Sequence, residues 1–313
     1  MSYIKDRKIR HTVICLTYNQ EAFIEKAITS LFQGNVWPDE VIIADDCSTD
    51  GSSQVIEMLK LRYPDRIHTI INQRNLGVYG NLNELVGLPT GDMIHFFAGD
   101  DWWEPGMLEQ MNELIAEKCL DPANDSFILI PDSYVYNGNT LIRRPNVKSE
   151  IPSLFKASLR HNVYNMMVGL SKGFYQYYPN FKPELGIWAD FHHVLTFARH
   201  CDNIYLIDNA YPVYRLGSGI SSRTPFVEQS ASFLKVIEAV STDLEAAFDE
   251  YDRCFIKYLR LKHEAIVNVS IGCLLRFIYS FIANMSNGAK PNDITTVIRV
   301  YASRLKRAYL IKS

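Results

Sequence analysis

From His11 to about Val135 the chain alternates short apolar runs with amphipathic stretches of helical length, and this alternation limits the fold more than any other feature. Thr12-Val13-Ile14-Cys15-Leu16 is rich in β-branched residues and fits a buried strand. From Glu21 to Phe32, the residues Phe23, Ile24, Ala27, Ile28 and Leu31 share one helical face. Glu40–Ala44, Ile67–Ile71, Met93–Phe97 and Phe127–Ile130 read as four further strands. Helices are predicted between them: one carrying Val55, Ile56, Leu59 and Leu61, one from Tyr79 to Val86, and one from Glu104-Pro105 to Glu117. Ser48 or Asp50 is placed to cap the first of these. Strands separated by helices of this length imply a parallel sheet covered on both faces, an α/β nucleotide-binding architecture.

After Tyr136-Asn137-Gly138-Asn139, which reads as a hairpin turn, the pattern is less regular to about Ser222. A helix is predicted from Trp188 to Arg199, with strands near Ile204–Ile207 and Val213–Leu216. From Phe226 the chain turns helical. Phe233, Val236, Ile237, Val240, Leu244 and Phe248 form one amphipathic run, and Ile256 to Phe281 form another. The shift in composition near 217–225 divides the chain into a sheet domain, 1–222, and a C-terminal α-helical extension, 223–313.

Bulk composition excludes some functions. A formal net charge of −3 gives no electrostatic case for binding nucleic acid. The six cysteines lack metal-ligand spacing and several lie in apolar runs, so they are expected to be reduced and structural, as in a cytoplasmic protein. The N-terminal residues lack the apolar core and cleavage site of a secretory signal. The stretch Ala265–Met285 is interrupted by Asn268, Arg276 and Asn284, so it is not expected to span a membrane.

In an open parallel sheet, ligands bind at the C-terminal ends of the strands. Three polar clusters fall there: Thr17-Tyr18-Asn19, Asp45-Asp46-Cys47-Ser48-Thr49-Asp50, and Gly99-Asp100-Asp101-Trp102-Trp103. Each alone is an ordinary strand-to-helix loop, but together they converge on one crevice. The adjacent carboxylates Asp100 and Asp101 repel one another unless a positive group lies near. Mn²⁺ or Mg²⁺, which takes one or two carboxylates plus phosphate oxygens and water, is the expected cofactor. Trp102 and Trp103 are placed either to wall the site or to pack in the core. Asp45 and Asp46 suit an N–H on a base or the hydroxyls of a ribose.

Residues 11–103 resemble the inverting family 2 glycosyltransferases, which have a GT-A fold. The matching string is Val-Ile-Cys-Leu-Thr17-Tyr18-Asn19-Gln20-Glu21, then Glu-Val-Ile-Ile-Ala-Asp45-Asp46-Cys47-Ser48-Thr49-Asp50-Gly51. Asn75-Leu76-Gly77, Asn81-Leu82-Asn83, Thr90-Gly91-Asp92 and Gly99-Asp100-Asp101-Trp102-Trp103-Glu104-Pro105 follow in order. The resemblance implies that Thr17, Tyr18, Glu21, Asp45, Asp46 and Asn75 line the nucleotide pocket. It also implies that Asp100 and Asp101 hold the metal and diphosphate, with Asp101 the preferred metal ligand. Where the family often begins that motif with an earlier Asp, Ala98 stands here.

The family's catalytic base, often in a Glu-Asp pair, matches Asp190 in Gly186-Ile187-Trp188-Ala189-Asp190-Phe191, with Ala189 replacing the Glu and Glu184 as a second candidate. Tyr214-Arg215-Leu216-Gly217 resembles the family's Tyr-Arg-x-His segment without the His, leaving Arg215 to contact phosphate. His192 and His193 point to different sides of a helix and are expected to be structural or acceptor-side.

The activity this implies is inverting transfer of a sugar from a nucleoside-diphosphate sugar, UDP by default. The acceptor is a glycan or lipid-linked glycan of the bacterial cell envelope. The departures at 98, 189 and 217 favour an alternative, a catalytically inactive nucleotide-sugar-binding or partner subunit. A nucleotidyltransferase, which favours a glycine-rich basic loop after the first strand, ranks below both. The tail from Arg299 to Lys312 is basic, free of acids and interleaved with apolar residues, a pattern suited to peripheral contact at the inner face of the cytoplasmic membrane. A homodimer through the helical C-terminus is a further expectation.

Overall fold

The computed structural model describes residues 8–145, 153–161, 168–268, 271–285, 289 and 293–300. The first half runs β1 (His11–Thr17), α1 (Glu21–Ser30), β2 (Glu40–Asp45), α2 (Ser52–Arg62), β3 (Ile67–Ile71), α3 (Gly77–Leu85), β4 (Met93–Ala98), β5 (Trp102–Trp103), α4 (Met107–Glu117) and β6 (Phe127–Tyr136). The second half runs β7 (Leu141–Arg144), α5 (Leu154–His161), β8 (Gly169–Ser171), α6 (Lys172–Tyr175), α7 (Ala189–Ala198), β9 (Asn203–Arg215), α8 (Ile220–Arg223), α9 (Phe226–Asp243), α10 (Glu250–Val267) and α11 (Ile271–Ala283).

The sheet order is β3-β2-β1-β4-β8-β6-β9-β5, with β7 paired to β6. β3, β2, β1 and β4 are parallel neighbours, β6 and β9 are also parallel, and the short β8 runs antiparallel between the two groups. The mostly parallel sheet expected from the alternating pattern is therefore present. Its C-terminal edge collects the ends of β1, β2, β4, β6 and β9.

Side chains alternate across the strands, so each face has its own core. Val13, Cys15, Val41 and Ile43 pack with Ile24, Ile28, Ile56 and Met111. Ile14, Ile42, Ile94 and Phe96 pack with Leu82, Leu85, Phe197 and Val236 on the other face. Truncating a fully buried member such as Ile14 or Ile43 to Ala costs about 2–5 kcal/mol. At Gly91, where the chain enters β4, a Cβ would sit 2.8 Å from the Thr12 backbone nitrogen, so only glycine allows this approach.

Several details depart from the sequence pattern. The two short strands expected near 204–207 and 213–216 are one continuous strand, β9. It stays paired with the long β6 because a register shift at Pro131/Asp132 takes up the polar Asp208-Asn209 between the apolar runs, and a second at Asp132/Tyr134 takes up Tyr211-Pro212. The second C-terminal run divides at Asn268 into α10 and α11. Trp102 and Trp103 form β5, paired antiparallel with Val213 and Pro212, and both are buried. The expected hairpin joins β6 to β7, with Gly138 at φ 100° and the Asn137 N–H donating to the Thr140 carbonyl at 3.3 Å.

None of the six cysteines forms a disulfide. Among the described residues, no helix is long and apolar enough to cross a membrane. Residues 301–313, most of the basic tail, lie outside the described residues. The C-terminal helices share the core of the second sheet face: Val236, Phe255 and Phe277 join the same cluster as Phe96 and Phe197.

Candidate active site

The loops after β1 and β2 are laced together by their own polar groups. Asn19 and Cys47 sit at φ 51° and 63°, left-handed turns that point the loop backbones at each other. The N–H groups of Asn19, Gln20 and Glu21 donate to Ser48 Oγ at 2.8 Å, Ser52 Oγ at 2.9 Å and Asp50 Oδ2 at 3.1 Å. In return, Asn19 Oδ1 accepts from the Thr49 N–H at 2.7 Å, and Glu21 Oε2 from the Gly51 N–H at 3.0 Å. Neither cap candidate takes the N-cap position of α2, which is Gly51 without a side-chain cap; Asp50, one residue earlier, accepts from the Ser52 N–H at 3.0 Å.

Asp45 and Asp46 are part of this lacing. Asp45 is fully buried and accepts from Ser48 N–H at 3.2 Å, from the Ser48 hydroxyl, and from Ser53 Oγ at 2.7 Å. Asp46 holds the loop before α3, accepting from Asn72 Nδ2 at 3.0 Å, Leu76 N–H at 2.8 Å and Gly77 N–H at 2.8 Å. The sequence suggested acceptors for a base or ribose; the structure engages both carboxylates with the protein's own donors. Asn75 closes its own turn by accepting from Gly77 N–H at 3.0 Å, and its side chain is exposed. Tyr18 is also exposed, whereas Thr17 is buried with its hydroxyl unpartnered.

The loop after β4 abuts this platform. Gly99 N–H donates to the Leu16 carbonyl at 2.8 Å, and a Cβ on Gly99 would meet Gln20 Oε1 at 2.6 Å and Thr17 Cβ at 3.0 Å. Beyond it, Asp100 and Asp101 are both buried. Asp101 Oδ1 accepts from the Arg215 N–H at 2.8 Å, which ties the end of β9 to this loop. Burial, and then the neighbouring Asp100 charge, holds the Asp101 carboxyl well above the ordinary carboxylate range. The Asp100 carboxylate has no hydrogen bond or ion pair with any described residue. Arg215 Nε donates to the Asp100 carbonyl at 2.9 Å, and the guanidinium lies 4.6, 5.1 and 5.4 Å from the ring centres of Phe23, Trp102 and Tyr136. Lys26 lies 3.4 Å over the Trp102 ring, with its pKa lowered by burial and by the Arg215 charge.

Asp190 occupies the first turn of α7 and accepts from the Phe191 N–H at 2.9 Å. Burial pushes its carboxyl up to about 6, against the opposing hydrogen bonds from Phe191 and Tyr79. The segment before it is clamped from both sides. On one side, Tyr79 of α3 donates to the Ile187 carbonyl at 2.8 Å, and Asn83 of the same helix bonds Phe181 in both directions at 3.0 and 2.7 Å. On the other, Ser232 of α9 donates to the Leu185 carbonyl at 2.7 Å and sits 2.6 Å from where a Cβ on Gly186 would be. Gly186, at φ 76° and ψ −152°, takes a backbone conformation open to glycine alone.

Glu184, the second candidate base, is exposed. His192 pairs with Asp243 at 2.8 Å, and His193 is stacked on Phe181 at 3.6 Å with its pKa lowered to about 3 by burial, so both pack structurally.

The structure thus gathers Thr17, Glu21, Asp45, Asp46 and Asn75 into one platform, places Asp100, Asp101 and Arg215 beside it, and sets Asp190 behind α3. Phe23, Lys26, Tyr79, Tyr136 and Ser232 were not singled out by the sequence. Tyr79, lying between Asn75-Leu76-Gly77 and Asn81, and Phe23, two residues after Glu21, stood near recognisable motifs.

The donors present fit a divalent cation in one way only. No group of three or more His, Cys, Asp or Glu among the described residues could hold a metal unaided. Two adjacent carboxylates, one of them unengaged, suit an ion whose remaining ligands come from a diphosphate and water.

A mostly parallel sheet with its polar groups at one edge defines an α/β protein that binds ligand at its strand ends. The likeness to solved structures shows that the fold is GT-A. S. aureus TarS matches with a TM-score of 0.65 at 18% identity, over 95% of this chain and 92% of that one. The mannosyltransferase PcManGT from Pyrobaculum calidifontis, in complex with GDP-Man and Mn2+, matches with a TM-score of 0.54 at 15% identity, over 98% and 82%.

The profile of Glycosyl transferase family 2 matches residues 12–176, more than half of the 313, and the chain belongs to that family. An uncharacterized Mycobacterium tuberculosis protein is 36% identical over 93 residues, a match spanning 29% of this chain and only 27% of that protein. The Putative teichuronic acid biosynthesis glycosyltransferase TuaG of Bacillus subtilis is 28% identical over 147 residues, spanning 42% of this chain and 58% of that protein.

Proposed function

We propose that the chain is an inverting glycosyltransferase that moves a sugar from a nucleoside-diphosphate sugar to a hydroxyl of a cell-envelope glycan or lipid-linked glycan. The observation that carries this reading is Asp190: a buried carboxyl with its pKa near 6, held on a clamped segment next to the nucleotide-side helix α3. A base with that pKa is ionised at neutral pH yet still takes up a proton readily. Asp190 accepts the acceptor hydroxyl's proton as its oxygen attacks the anomeric carbon. The nucleoside diphosphate departs from the opposite face, so one displacement inverts the configuration.

The loop platform of Thr17, Tyr18, Glu21 and Asn75, buttressed by Asp45 and Asp46, receives the nucleoside. Arg215 faces the diphosphate with its planar fork. Asp100, with Asp101 behind it, would hold Mn²⁺ or Mg²⁺, which would supply Lewis-acid stabilisation of the leaving diphosphate. This reverses the order suggested by the sequence, because Asp101 is engaged by Arg215 N–H and Asp100 is not.

UDP is the proposed nucleotide; TarS has been seen in complex with UDP-GlcNAc, and that precedent supports testing it first. The name of TuaG supports an envelope polysaccharide as the acceptor class; the reduced thiols expected of all six cysteines support work on the cytoplasmic side. The division at 222 is read functionally: 223–313 completes the base's support through Ser232 and carries the outer helices.

The test is nucleoside diphosphate release from UDP-, GDP- and dTDP-sugars with Mn²⁺ or Mg²⁺, comparing wild type with Asp100→Ala and Asp190→Asn. Release that needs both aspartates, with inverted product, is expected. A product retaining the donor's configuration overturns the displacement. Ala98, standing where the family often has its first acidic residue, favours the rival reading of an inactive nucleotide-sugar binder. Tight donor binding without release under any acceptor supports that rival.

A further inference from the structure

We propose that the outer face of α11 is a docking surface for an anionic lipid membrane, on which the protein lies without crossing it. This helix is apolar on two opposite sides. Cys273, Phe277 and Phe281 point inward and are buried, with Phe277 stacked 6.0 Å from Tyr258 of α10. Half a turn of the helical wheel away, Leu275, Tyr279 and Ile282 recur at i, i+4 and i+7 on one stripe. They are 60%, 80% and 64% exposed, with Met285 alongside at 61%. An interior-facing helix needs one apolar stripe; the second is without a partner among the described residues.

Charge names the occupant. Residues 265–313 hold seven Lys and Arg against one acid, Asp293, so they carry +6 while the remaining chain carries −9 to give the total of −3. The single acid is turned inward, paired with Lys262 at 2.8 Å and hydrogen-bonded by Tyr258. An exposed apolar stripe with the exposed Arg276 beside it, in a segment of this net positive charge, fits the acyl boundary and headgroups of an anionic bilayer. Tyr279 is the residue type that settles at that boundary, and Arg276 beside it is exposed to meet phosphate. A second copy of the chain fits poorly, since it would bring two +6 segments together. At 13 residues α11 is shorter than the roughly 20 needed to span a bilayer, so it lies in the plane of the surface.

The surface does not depend on the glycosyltransferase reading, and it is tested without sugar donor. The full chain is sedimented with vesicles of phosphatidylcholine alone or containing about 30% phosphatidylglycerol. Wild type should bind the anionic vesicles and release them as salt rises. The double variant Leu275→Glu/Ile282→Glu, folded by circular dichroism and melting with the wild-type cooperativity, should bind about tenfold or more weakly. Absence of wild-type binding, equal binding to neutral vesicles, or binding kept by the double variant overturns the proposal. So does light scattering that shows a dimer dispersed by the double variant without any vesicle binding.

Discussion

Two pairs of adjacent aspartates sit at the ends of neighbouring strands and behave in opposite ways. Asp45-Asp46 is surrounded by donors: backbone N–H groups, serine hydroxyls and an asparagine amide fill its oxygens and convert its charge into loop rigidity. Asp100-Asp101 is nearly as buried but receives one side-chain-directed donor, the Arg215 N–H, and keeps the repulsion between its members. The first pair is satisfied by the fold. The second is left with negative charge that a cation would satisfy. An acidic pair in a sequence is therefore not a site in itself; its supply of donors decides.

The largest effect is expected at Asp190, the third acidic position: Asp190→Asn should lower kcat about 10³-fold while leaving donor affinity, measured by calorimetry, unchanged. In the wild type, the same group should give kcat/KM an acidic limb near pH 6, with activity lost as the pH falls and the carboxylate takes up its proton.

Next, Asp100→Asn should cost about 10²–10³-fold in turnover and abolish the response to added Mn²⁺. At the satisfied pair, Asp46→Ala should destabilise by about 2 kcal/mol in denaturant titration, because the Leu76 and Gly77 N–H groups lose a buried acceptor. Metal should not rescue it. A Mn²⁺ response lost in Asp46→Ala but kept in Asp100→Asn would invert the comparison.

The smallest effect concerns stability. The native state holds the Asp101 proton more tightly than the unfolded chain does. The ionised form therefore destabilises the fold increasingly as pH rises from the ordinary carboxylate range through the raised value. Without metal, Asp101→Asn should melt a few degrees above wild type at neutral pH, with no gap in acid.

Most of the architecture was legible. β1 to β4 and their helices follow from period-2 and helical runs, and the three polar clusters do fall on one edge, because parallel strands joined by helices must end together. Legibility fell after residue 136. There β9 is held together across a polar interruption by its pairing with β6, and long-range pairing leaves no local pattern. Asp190 carried little signal of its own, and its clamp comes from Tyr79 and Ser232, residues 111 and 42 positions away along the chain.

The family resemblance, β1 to β4 with their intervening helices, and the polar strand ends are written in local spacing and residue type. Packing in three dimensions sets which carboxylates are loop fasteners and which are open to a ligand. It also brought Lys26, Phe23 and Tyr136 around Arg215 and left α11 with a second, uncovered apolar stripe. The physical reason is common to all three: donor supply, burial and neighbouring charge are properties of space around a group, set by chain segments that the sequence keeps far apart.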